Sequence, residues 1–117
     1  NGYLTPSAHL AAGNYDKALV GYLEIKKQDS TSSFISERNF NRLGYKYSGN
    51  KEYEKALKIF ELNIALHPYS ANVYDSMAQL RLVMGDSLQA YTNYKKALEF
   101  NNGNKRAKKY VEDYKTR

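Results

Sequence analysis

The sequence has no cysteine, no tryptophan, only two prolines in 117 residues and no apolar run approaching a membrane span. Without cysteine there are no disulfides, thiolate zinc sites or cysteine nucleophiles, and usage leaves the redox compartment open. Without about 20 consecutive apolar residues there is no membrane-helix signal. Histidine is scarce: His9 and His67 stand apart, with no His, Cys or carboxylate at metal-ligand spacing. No glycine loop suited to phosphate is present either. A nucleophile, base and orienting group able to converge are therefore missing, and the chain is expected to be non-catalytic, with no metal and no cofactor. It begins at Asn1 without Met or a signal-peptide pattern, which reads as an excised or processed fragment.

What is present suits one soluble domain: 42% hydrophobic and 26% charged residues. The net charge of +6 is weighted to the end, where Lys105, Arg106, Lys108, Lys109, Lys115 and Arg117 face only Glu112 and Asp113, an excess of four. Such a cluster can attract nucleic acid. It also complements the negative end of a terminal helix, and with no nucleic-acid motif beside it the solvated-face reading is preferred.

The chain repeats itself. Forward by 34 residues, Phe40 becomes Tyr74, Leu43 becomes Met77, Gly44 becomes Ala78, Ala56 becomes Ala90 and Phe60 becomes Tyr94. Upstream, Tyr15-Asp16-Lys17-Ala18-Leu19 matches Tyr53-Glu54-Lys55-Ala56-Leu57 at an offset of 38, and the four extra residues fit the polar run Asp29–Ser33 as a loop. Phe40, Leu43, Gly44 and Tyr47 recur at helical spacing, as do Ala56, Ile59, Phe60 and Ile64, so each unit reads as two antiparallel helices. Gly13-Asn14, Gly49-Asn50 and Gly85-Asp86 supply the turns, a left-handed-tolerant glycine followed by a capping residue. Gly44 and Ala78 mark close helix crossings, with Phe60 and Tyr94 filling the space opposite. Thr5 is expected to cap a shortened first helix with Pro6 in its first turn, and His67 to sit over the last carbonyls of its helix before Pro68.

The order aromatic, two residues, Leu-Gly, two residues, Tyr, then Ala, three residues, aromatic, then Pro resembles the tetratricopeptide (TPR) repeat, carried by Phe40, Leu43, Gly44, Tyr47, Ala56, Phe60 and Pro68. The next copy departs from it at Arg81 and Asn102. The resemblance implies an all-α, right-handed α-solenoid: a degenerate first repeat over 5–35, repeats over 36–69 and 70–103, and a capping helix over 104–117. It implies a binding scaffold for a protein or peptide. The runs Asn39–Tyr45 and Ser70–Ala78 further resemble the C-terminal repeat regions of bacterial serine hydrolases of the esterase and β-lactamase-related type. That likeness alone implies a bacterial, exported parent and a second role, as an appendage packing on an upstream hydrolase domain through an apolar face near residues 1–15. Residues alone give no compartment.

In such a stack the first helix of each pair lines the concave groove. The groove residues are then Arg38, Asn41, Arg42, Tyr45 and Ser48, followed by Asn72, Asp75, Gln79 and Leu82, and on the cap by Arg106, Lys109 and Asp113. Arg38 and Arg42, spaced i, i+4, can clamp a carboxylate; Asp75, one repeat on, is the competing internal partner. The family's carboxylate clamp for chaperone tails needs a basic pair where Asn72 and Ser76 stand, which disfavours that ligand.

Overall fold

The computed structural model describes residues 4–117, and in them the chain is helical from end to end, with no strand. Its elements are α1 (Pro6–Ala11), α2 (Tyr15–Gln28), a one-turn 3-10 helix (Ser33–Ile35), α3 (Glu37–Gly49), α4 (Tyr53–Leu66), α5 (Ala71–Val83), α6 (Ser87–Phe100) and α7 (Lys105–Lys115). Consecutive helices pack as pairs, α1 on α2, α3 on α4 and α5 on α6, with α7 closing on α6. The pairs stack into an elongated body of 57 × 29 × 18 Å.

The periodicity of small and large residues explains the pairing. Ala18, Ala56 and Ala90 are wholly buried, and Tyr22, Phe60 and Tyr94, each four residues on, are buried beside them. A Cβ on Gly44 would lie 2.7 Å from Cδ1 and Cζ of Phe60, so only glycine lets α3 cross α4 at this distance. Gly21 does the same in α2, where the Pro6 ring occupies the space a Cβ would need. The core is a row of local clusters: Ala18, Tyr22, Ile35 and Phe40 in one, Ala56, Phe60 and Met77 in the next, Ala78, Tyr94, Ala107 and Val111 in the last. That is the quasi-linear organisation of a solenoid.

Thr5 caps α1 as expected, its Oγ1 accepting from the Ala8 amide at 3.1 Å with Pro6 at the first helical position. Gly13 and Gly85 hold left-handed φ of +81°. The middle turn differs from expectation. Gly49 is the last residue of α3 and Asn50 its C-cap, while Lys51 takes the left-handed φ of 62° and Glu52 precedes α4. The polar loop after α2 is also more structured than expected: its 3-10 turn buries Ile35 to 1% exposure. His67 does not rest on its own helix end. Its Nε2 donates to the Ile35 carbonyl at 2.7 Å, and the Leu66 carbonyl accepts from Lys26 Nζ instead. Asn63, fully buried, donates through Nδ2 to the Glu37 carbonyl at 3.1 Å.

Candidate interaction groove

Helix α3 turns Phe40 and Gly44 inward, so residues offset by a turn or less point out: Arg38, Arg42 and Tyr45 are exposed, Asn41 and Ser48 half-buried. On α5, Val73, Tyr74, Met77 and Ala78 are buried, which leaves Asn72 exposed and Asp75 and Gln79 half-buried on the adjoining face. Arg106 and Lys109 are exposed on α7. Polar contacts connect the three helices. Tyr45 donates its hydroxyl hydrogen to Ser76 Oγ at 3.1 Å and meets the Phe60 ring edge-on at 5.4 Å. Asn72 Nδ2 donates to Glu37 Oε2 at 3.4 Å.

The strongest electrostatic feature is the Asp75 carboxylate. Both oxygens accept from Arg106 Nη2, at 2.8 and 2.7 Å, one also from Asn104 Nδ2 at 3.0 Å and the other from Gln79 Nε2 at 2.9 Å. Asn104 serves twice, since its Oδ1 caps α7 by accepting from the Ala107 amide. Hydrogen bonding to Asp75 raises the Arg106 pKa above its ordinary value, and burial raises that of the Tyr45 phenol.

Asp75 is thus engaged by Arg106 and not, as the competing expectation had it, by the arginines of α3. Among the described residues no carboxylate lies within ion-pair distance of Arg38 or Arg42, whereas Lys109 is paired with Asp113 at 3.1 Å. Asn41 carries a buried Oδ1 with no hydrogen-bond partner among the described residues. Asn104 and Ser76 complete the network, and neither is among the expected groove residues: Ser76 reads in the sequence only as a substitution for a base. In residues 4–15 Leu4 is the one large apolar side chain counted as exposed; Val20, Leu23 and Phe34 are exposed further on, and residues 1–3 lie outside the described part. Among the described residues no three His, Cys, Asp or Glu converge to hold a metal ion, and no helix is long and apolar enough to cross a membrane.

No family model matches the chain. Among curated proteins it is similar to heat shock protein STI1 of Saccharomyces cerevisiae, 28% identical over 102 residues, which span 87% of this chain and 17% of STI1. Among solved structures it is similar to the first TPR of Spaghetti (RPAP3) bound to the HSP90 peptide SRMEEVD, with a TM-score of 0.62, 18% identity and coverage of 95% of this chain and 85% of that one. MamA aligns with a TM-score of 0.62 and 18% identity over 93% of this chain and 82% of its own. PcrH, in complex with the chaperone binding region of PopD, aligns with a TM-score of 0.54 and 17% identity over 95% and 80%. The fold is therefore an α-solenoid of tetratricopeptide type.

Proposed function

We propose that this chain is a non-catalytic binding module that takes a peptide segment of a partner protein on the concave face of α3, α5 and α7. One observation carries the reading: charge on this face is satisfied unequally. Asp75, Arg106 and Lys109 are consumed internally, whereas Arg38 and Arg42 stand exposed one turn apart, near the partly exposed Tyr45. Two exposed guanidinium groups, without an ion-pair partner among the described residues, and an aromatic edge suit an acidic or carboxylate-bearing segment, because arginine forks pair with carboxylates in two-bond geometry. A peptide as ligand class is supported by the RPAP3 domain, bound to an HSP90 peptide, and by PcrH, in complex with a region of PopD. Asn72 and Ser76 are engaged with Glu37 and Tyr45, so the contacts fall mainly on α3. The alternative, an appendage packing on a serine hydrolase domain of the same polypeptide, calls for an apolar face near residues 1–15, where among the described residues Leu4 is the one exposed large apolar side chain.

The test is titration of the chain with fluorescent acidic and basic peptide pools, followed by Arg42→Glu and Tyr45→Ala. Acidic peptides should bind and both substitutions should weaken binding about tenfold or more, while Lys58→Glu and Lys95→Glu on the opposite face leave it unchanged. Binding that responds to Lys58 or Lys95 and ignores Arg42 and Tyr45 refutes the groove assignment.

A further inference from the structure

The exposed face of α2 differs from those of α4 and α6. Asp16, Val20, Leu23 and Lys27 follow one another at spacings of four, three and four, which aligns them in a single stripe along the helix. All four are exposed, Val20 to 70% and Leu23 to 42%. The repeat register puts Glu54, Lys58, Glu61 and Ala65 at these positions in α4, and Leu88, Thr92, Lys95 and Glu99 in α6. In α4 two of the charges pair within the helix, Lys58 with Glu61 at 3.7 Å. In α2 neither Asp16 nor Lys27 has an ion-pair partner among the described residues, and the centre of the stripe is aliphatic.

We infer that two copies of this chain pair through α2, antiparallel, about a two-fold axis crossing the stripe between residues 21 and 22. The order acid, aliphatic, aliphatic, base reads as its own complement when reversed. About that axis Val20 of one copy faces Leu23 of the other, and Asp16 faces Lys27; each contact occurs twice, as an isologous interface requires. Antiparallel pairing also sets the helix dipoles head to tail. The opposite register, with the helices parallel, places Asp16 against Asp16 and Lys27 against Lys27 and is disfavoured by like charge. A single helix stripe is a small interface, so the dimer is weak and forms at high concentration. It lies on the second helix of its pair, away from Arg38 and Arg42, and does not depend on groove binding.

Sedimentation equilibrium of the full chain from about 5 to about 500 µM tests this, a range that spans weak association. The mass should rise from 13.4 kDa toward twice that value. Val20→Glu should remain monomeric throughout with an unchanged far-ultraviolet spectrum. Asp16→Lys and Lys27→Asp should each weaken association roughly three- to tenfold or more, and the double exchange should restore it, because only the reciprocal pairing regains opposite charges. A monomer at every concentration overturns the proposal. So does a dimer that ignores Val20→Glu, or one in which the double exchange is no better than either single change.

Discussion

Replacing Gly44 by alanine isolates the close crossing of α3 and α4. Two effects oppose each other. Within a helix, Gly→Ala gains about 1 kcal/mol of backbone stability. The new methyl, however, would fall on the Phe60 ring, which is 1% exposed and has no open side to move toward, and overpacking of this kind costs about 1–3 kcal/mol. The net expectation is a loss of up to ~2 kcal/mol. Gly49 provides the control on the same helix: nothing lies within 4 Å of its would-be Cβ, so Gly49→Ala should be neutral or gain up to ~0.5 kcal/mol. Phe60→Leu alone should cost about 1–2 kcal/mol through lost burial. In that background the ring edge is gone and Gly44→Ala should become stabilising, a coupling of about 1–3 kcal/mol. Urea unfolding followed by far-ultraviolet circular dichroism reads the parent and these four variants, provided the slopes agree. If Gly44→Ala stabilises the parent as much as Gly49→Ala does, or if the two changes simply add, the helix-crossing account is refuted.

Lys51, held at a φ of 62° with an exposed side chain, should be improved by Lys51→Gly, by about 0.5–1 kcal/mol, seen as a rise in melting temperature that Lys51→Ala does not share. Asp75→Ala should cost about 1–2 kcal/mol, since the carboxylate is largely sheltered although Arg106 is 59% exposed; hydrogen exchange should accelerate in α7 more than in α3 or α4, and uniform protection would refute the view that Asp75 holds α7 in place. Burial raises the pKa of the Tyr22, Tyr45 and Tyr94 phenols above their ordinary value. Because the folded value is the higher one, the stability they contribute is complete below about pH 10 and is lost as pH rises through the folded values. Phenolate absorbance should therefore show a component ionising above the ordinary phenol range, together with alkaline unfolding; a titration complete within that ordinary range would contradict it.

The fold was legible because a solenoid writes its packing locally. Gly44 and Phe60, Ala78 and Tyr94 recur at one period, and each pair is solved within a single helical hairpin. The middle turn is the exception: Gly49 reads as its left-handed residue, whereas that conformation falls to Lys51. The register held the answer: Gly13 and Gly85, at offsets of 38 and 34, both fall on Lys51. Side-chain partners left no such trace. Asp75 had three arginines on neighbouring polar positions, and nothing periodic separates Arg106 from Arg38 or Arg42; distance in space chose between them. Gly21 was equally silent, its smallness being set by Pro6 on another helix.

Lys26 and His67 join the first and middle units and Asn63 ties α4 to the start of α3, each hydrogen-bonding a main-chain carbonyl, Lys26 at Leu66, His67 at Ile35 and Asn63 at Glu37. A bond of that kind is encoded by one residue, not two, because every amino acid offers the same acceptor. Side-chain changes at the accepting positions leave these bonds standing, whatever they do to the core, and no compensating exchange can rescue a loss at position 26, 63 or 67. In a set of diverging sequences these three bonds would therefore show as three constrained columns with no correlated partners, invisible to any search for paired substitutions.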